Sequence, residues 1–344
     1  MLGARGILPG CSPADALAVI VALSEAAQPE VSRTARATLE ALPRPLLQGA
    51  LRSELQGAVI AELVGPFGND LEVLPRLLQM KALDADVLGR LSERASEEAG
   101  EIIATNEQLI LTFPSAIERL YMNARVRMST SDRLIDLAVR NGIELDFPAF
   151  KLAAQAIQNQ LIPEPTPEPT FDDRLFDEAG ELAAKLLLES DADDVCEADE
   201  EGVEALKQKY VPLFAQVQEM TVTQKIRSAT LGNATMRMLL VRDTNRLVSE
   251  AAAKSPRLTE NEAIRIAASR AVSDDVLRIV AQNRDLIRSY QVKYNLVTNP
   301  RTPFSFASRL LPHLRTNDLR LIGRSKNVPG AVSRMAVQHL NRQK

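Results

Sequence analysis

Ser255-Pro256-Arg257-Leu258-Thr259 and Asn299-Pro300-Arg301-Thr302-Pro303 are two versions of one turn, 44 residues apart. The helices around them repeat as well: Val276-Leu277-Arg278-Ile279-Val280 answers to Asp318-Leu319-Arg320-Leu321-Ile322, 42 residues on. A fixed period of about 20–50 residues is the signature of a solenoid, in which each unit buries its apolar face only against its neighbours. In each unit the turn comes first, then an apolar helix, then a second helix opening after Ser273 or Thr316. Thr259 and Glu262 have capping-box spacing, with hydroxyl and carboxylate each satisfying an orphan N–H. Ile264, Ala267, Ala268 and Ala271 then fall on one helical face, as do Ala307, Leu310, Leu311 and Leu314. In the second unit Thr302 reads as the cap and Pro303 as the first helical residue, and Pro312 predicts a kink.

Working outward, the N-terminal half carries weaker echoes. Asp86-Val87-Leu88 resembles Asp132-Arg133-Leu134, and Thr112-Phe113-Pro114-Ser115 stands before its helix much as Thr302-Pro303-Phe304-Ser305 does. Turn signals recur at Gln28-Pro29, Pro43-Arg44-Pro45, Gly65-Pro66 and Asn141-Gly142, with no period-2 strand pattern between them. Helices this short do not stand alone in water and must pack on neighbours. The expectation is an all-α solenoid in two arms. Residues 1–12 read as disordered, 13–160 as an N-terminal helical repeat domain and 205–344 as a basic C-terminal repeat domain. Between them, 161–204 reads as an acidic, Pro-rich linker with one amphipathic helix over 173–188 and a solvated acidic stretch, Glu189–Glu201.

Thr223-Gln224-Lys225-Ile226, Ser255-Pro256-Arg257-Leu258-Thr259 and Ser325-Lys326-Asn327-Val328-Pro329 together resemble HEAT/armadillo-like repeat proteins, in particular an uncharacterised bacterial HEAT-like family. The likeness covers the last 120 or so residues well and the first 160 loosely. It implies helix pairs of about 40–47 residues and a scaffold that binds something along its surface. It carries over no catalytic residues.

Composition narrows the function classes. Aromatic residues make up 4% of the chain and there is no Trp, which suits helices packed by Leu, Ala, Ile and Val rather than aromatic-stacking sites. Cys11 and Cys196 are too far apart to suggest a disulfide framework, and a reducing compartment is the natural expectation. Leu8-Pro9-Gly10-Cys11 is a poor lipoprotein box because the residues before it lack an apolar run. The apolar run Ala16–Leu23 is far shorter than the roughly 20 residues that span a bilayer, so the expected location is cytoplasmic, without membrane insertion.

No cofactor, metal or catalytic site is read from the sequence. His313 and His339 lack metal-ligand spacing, and no Gly-rich phosphate loop occurs. Asp191–Gly202 fails as a calcium loop: Val195, Cys196 and Gly202 stand where an oxygen ligand, a glycine and a glutamate are required. A HEAT-like DNA glycosylase would need aromatic residues in its groove, and the chain has only four Tyr, so it reads as non-enzymatic.

The informative feature is charge polarity. Residues 161–204 carry a net −14 and residues 221–344 a net +14, mostly from Arg. Such asymmetry means an anionic partner, or an acidic segment folded back on a basic one. Arg237, Arg242, Arg246, Arg278, Arg301, Arg320 and Arg324 are the candidate partner- or anion-binding residues, with Arg278 and Arg320 as rungs of a ladder. The expected function is an interaction scaffold for a protein partner. The alternative is nucleic-acid binding through the Arg-rich repeats, masked by the acidic linker.

Overall fold

The computed structural model describes every residue except 1, 159, 161, 163, 187–193, 200–202, 326 and 343–344. Among the described residues it holds 22 α-helices and a single two-stranded sheet, so the protein is all-α. The chain forms two compact units, Met1–Leu145 with Ile162–Pro167, and Asp146–Leu161 with Glu168–Lys344.

The first unit contains α1 (Pro13–Ser24), α2 (Pro29–Glu40), α3 (Arg44–Ala50), α4 (Gly57–Phe67), α5 (Leu74–Leu77), α6 (Ala85–Arg94), α7 (Glu97–Thr105), α8 (Glu107–Thr112), α9 (Ser115–Met122) and α10 (Met128–Arg140). Alternate helices stack. α1, α4, α6 and α9 pack in one row, and α5, α7 and α10 in another. Leu17, Ile20, Ile60, Leu63, Leu88, Ile117 and Leu120 fill the first row with essentially no exposed surface. Arg127 ties the Pro-rich segment to this unit, its guanidinium donating to the Thr166 carbonyl (2.8 Å) and the Pro167 carbonyl (3.1 Å).

The second unit contains α11 (Phe150–Ile157), α12 (Phe171–Lys185), α13 (Val211–Glu219), α14 (Val222–Leu231), α15 (Ala234–Leu240), α16 (Arg246–Ala253), α17 (Glu260–Ala268), α18 (Asp274–Gln282), α19 (Tyr290–Thr298), α20 (Phe304–Leu310), α21 (Thr316–Arg324) and α22 (Gly330–Arg342). One row runs α11, α14, α16, α18. The other runs α12, α15, α17, α19, and the array ends in α20, α21 and α22. This is the stacking of an α-solenoid.

Many of these helices are only two or three turns long, and several open on an explicit side-chain cap, because a short helix cannot carry its orphan N–H groups unaided. Ser12, Asp84, Ser96, Asn233 and Ser273 each accept from a backbone N–H of their first turn. Thr170/Asp173, Thr221/Gln224 and Thr259/Glu262 form full capping boxes, the last as expected. Each such cap is worth about 1 kcal/mol.

The turns repeat a second device. Asn299 is buried, and its amide donates to the Ala267 and Ser269 carbonyls (2.8 Å each) while its Oδ1 accepts the Arg301 N–H (2.9 Å). Asn123 does the same in the first unit, donating to Ser92 and Ala95 and accepting from Arg125. Ser255 is a shorter version, its hydroxyl reaching the Thr230 carbonyl and accepting the Arg257 N–H. The repeated turn at Ser255 and Asn299 is thus a clamp between successive helical repeats.

Several expectations change. The 42–44-residue offset spans three helices, from the α16–α17 turn at Ser255 to the α19–α20 turn at Asn299. The two-helix step is shorter, as the starts of α14, α16 and α18 at Val222, Arg246 and Asp274 show. In α17 the buried face is Ala263, Ile266 and Ala267, one position from the expected stripe, and the helix stops at Ala268 before reaching Ala271. Ala307, Leu310, Leu311 and Leu314 are buried as read. Pro312 lies in a 3₁₀ turn, Leu311–His313, that ends α20 rather than kinking it. Pro303, not Thr302, stands at the N-cap, and the buried Thr302 hydroxyl has no hydrogen-bond partner among the described residues.

Residues 2–12, expected to be disordered, pack on α1 and α2 through the 3₁₀ turn Gly3–Arg5. Ala4 is fully buried there, and Gly6 takes the positive φ of 74° that reverses the chain. The sequence places domain boundaries at 160 and 205, and the compact units divide after 145, 161 and 167. The reason is packing. α11 lies on α14 and α16, and α12 on α13, α14 and α15. α12 begins at Phe171 because Thr170 and Asp173 box its N-terminus, and the side chains of Asn233 and Thr235 accept the role of C-terminal caps by donating to the Ala183 and Leu186 carbonyls. The acidic stretch 189–201 and the rejected calcium loop 191–202 lie in large part outside the described residues.

Candidate anion-binding face

The described part of the acidic stretch is not a solvated linker. Cys196–Ala198 (β1) pairs antiparallel with Glu204–Leu206 (β2), in the register Cys196 to Leu206 and Ala198 to Glu204. The Lys207 N–H donates to the Val195 carbonyl (3.0 Å), and Val195 is fully buried. One apolar residue before the acidic tip and Leu206 after it give this hairpin a face to bury, which is why it folds onto the second unit.

What anchors it is charge. Arg242, at the α15–α16 turn, donates through Nη2 to Asp194 Oδ2 (2.9 Å), through Nε to Glu204 Oε2 (3.1 Å) and through Nη1 to the Met238 carbonyl (2.7 Å). Glu204 Oε1 in turn accepts the Arg270 N–H (2.8 Å) and the Ala271 N–H (3.3 Å), from the α17–α18 turn. Burial alone would raise the Glu204 pKa. The Ser269 hydroxyl, the Arg242 guanidinium and the Arg270 N–H outweigh it and hold the carboxyl below its ordinary range. Burial likewise disfavours the charged form of Arg242, but Asp194 and Glu204 overcome it and hold the guanidinium above the usual arginine value. Burial pushes the neighbouring Cys196 thiol up, against the lowering effect of Arg242, so it is a poor nucleophile. The α15–α16 and α17–α18 turns therefore form a seat for a carboxylate, and Glu204 sits in it.

The sequence-derived arginines divide by environment. Arg237 is buried in a bidentate pair with Glu262 (2.8 and 3.1 Å) and donates to the Gly232 carbonyl, which locks the Thr259 capping box to α15. Arg242 holds the hairpin. Arg246 bridges Glu250 (2.7 Å) and Asp275 (3.2 Å), and Arg278 reaches Asp275 (3.1 Å) and Asp274 (3.8 Å). Arg301 caps the Ala271 and Val272 carbonyls. Arg320 donates to the Asn317 side chain (3.0 Å), and Arg324 is exposed with no partner among the described residues. Arg278 is thus engaged by two carboxylates, and Arg320 by a side-chain amide. Asp194, Glu204 and the Ser269–Ala271 turn were outside the sequence-derived set. The signal for them was the short apolar alternation on either side of the acidic tip.

Positive charge without carboxylates collects further along. Residues 286–344 contain 11 Lys and Arg and one acid, Asp318. That acid is engaged by the Tyr290 hydroxyl, whose ring lies under the Arg315 guanidinium at 4.6 Å. His313 is exposed and His339 half-buried, and among the described residues no three His, Cys, Asp or Glu side chains gather as a metal ion would require. No described helix is long and apolar enough to cross a membrane.

Compared with known proteins, the chain matches no family model, no curated protein and no solved structure. The helical-repeat architecture is what stands of the HEAT-like resemblance.

Proposed function

We propose that this protein is a non-enzymatic, cytoplasmic, HEAT/armadillo-like scaffold that holds an acidic segment of a protein partner on the inter-helix turns of its second unit. The observation that carries this reading is the seat of Glu204. One carboxylate receives a guanidinium and two backbone N–H groups there, and charge-assisted bonds of this kind are roughly twice as strong as neutral ones. The chain's own hairpin supports this reading, since an acidic strand already occupies the seat. Shape comes from the rigid helix stack and specificity from where the turns place their donors.

The test is fluorescence anisotropy of the full chain with a fluorescein-labelled, Glu-rich 12-residue peptide, comparing wild type with Glu204→Ala and Arg270→Glu. Opening the seat in Glu204→Ala strengthens binding, and reversing the charge at Arg270 weakens it. Peptide binding indifferent to both substitutions refutes the reading.

Nucleic-acid binding is the second reading, and the near-absence of acids across residues 286–344 favours it. It predicts that a 30-base-pair duplex binds with an affinity falling steeply between 50 and 200 mM salt, on the order of 10³-fold if about six phosphates are contacted. A duplex that does not bind at micromolar protein eliminates this alternative. Deleting 161–204 is the wrong tool for either question, because α12 is part of the packed second unit.

A further inference from the structure

The seat of Glu204 does not end at Arg270. The N–H of that residue is taken by Glu204, but its side chain is exposed and no described residue pairs with the guanidinium. Arg270 also lines an open groove of about 470 Å³ toward the end of the array. Its walls are Tyr294 and Thr298 of α19, Leu321 and Ile322 of α21, and Val328 of the last turn. Leu321 is 61% exposed, a high value for a large aliphatic side chain in a packed array. No carboxylate lines the groove.

We infer that this groove is the second half of the partner site. It takes an extended segment of a protein partner that places an Asp or Glu on the Arg270 guanidinium and a Leu, Ile or Val, one or two residues away, between Tyr294 and Leu321. This inference rests on the acidic-partner reading above and adds to it an aliphatic requirement. Three features select the occupant. Arg270 is common to the groove and to a seat already filled by an acidic, extended strand of this chain, which favours an occupant of the same backbone form and charge. Among the described lining residues Arg270 is the cation, which asks for an acid, and the aliphatic wall offers a polyanion backbone nothing. The open trough with Leu321 uncovered buries apolar surface only when an aliphatic side chain closes over it. An extended chain advances about 3.3 Å per residue, which sets the one- or two-residue spacing that the selection reads.

The experiment is selection of a displayed random 12-residue peptide library on the full-length protein. Selected peptides are then measured by anisotropy on wild type, Arg270→Glu and Leu321→Asp. Both positions are exposed, so the variants are expected to keep the wild-type circular dichroism spectrum and melting temperature, and that is checked first. The expected result is enrichment of Asp or Glu within two residues of Leu, Ile or Val, with affinity falling about tenfold in each variant. Acidic peptides that lose affinity in Arg270→Glu but not in Leu321→Asp overturn the groove and leave the acidic-partner reading standing. Peptides without acids, or no enrichment over the naive library, overturn both.

Discussion

Glu204→Ala isolates the contact that holds the acidic hairpin. The carboxylate accepts from the Arg242 Nε at 3.1 Å, from the N–H groups of Arg270 and Ala271 at 2.8 and 3.3 Å, and from the Ser269 hydroxyl. Hydrogen bonds to a charged group contribute about 1.5–3 kcal/mol net. The loss falls at the lower end of that range for two reasons. Arg242 keeps Asp194 and the Met238 carbonyl, so no charge is stranded, and the two released N–H groups belong to exposed residues that water can reach. About 2 kcal/mol of local stability is lost, which is roughly a thirtyfold rise in the opening equilibrium of the hairpin. Hydrogen exchange read on the peptide containing the Lys207 N–H, which bonds to Val195 within the same structure, measures it directly. The helices of the first unit should keep their exchange rates. Exchange at Lys207 within threefold of wild type would show that the hairpin is held by Val195 and its strand pairing alone, and would remove the charge argument. Loss of protection across the whole second unit would show that the hairpin is a structural keystone and not a separable occupant.

Acidification should release the same hairpin. The Glu204 pKa is depressed in the fold, so its contribution is complete above the ordinary glutamate range and disappears as pH falls through the depressed value; an Arg270 amide resonance that does not move over that interval contradicts this. Glu262→Ala strands the buried Arg237 and removes the capping carboxylate of Thr259, and about 3–5 kcal/mol of stability should be lost in a urea titration. A loss under 1 kcal/mol would mean that water solvates Arg237 in the fold. Asn299→Ala leaves the Ala267 and Ser269 carbonyls and the Arg301 N–H without their partner at a buried position, and is expected to cost about 2 kcal/mol by the same titration. Asn123→Ala should match it within about 1 kcal/mol if the two clamps are equivalent, as their geometry indicates.

The local rules were legible in the chain itself. The Thr259–Glu262 box, the stripe from Ala307 to Leu314, the turn at Ser255 and its copy at Asn299, and the opposed charge of the two segments all follow from spacing and residue type. These are short-range effects, fixed by neighbours three or four positions away. What spacing does not contain is the partner of a buried charge. Arg237 and Arg242 read like surface arginines, because nothing within a helical turn of them announces Glu262, 25 residues on, or Glu204, 38 residues back. The helix count per repeat slipped for a related reason: the 42–44-residue echo records a recurring turn, while the two-helix step follows from which helices find each other's apolar faces. Sequence alone determined an all-α repeat array with an acidic middle and a basic end. The tertiary structure decided that part of the acidic middle lies on the basic end, because only folding brings the turns at Arg242 and at Ser269–Ala271 close enough to share one carboxylate.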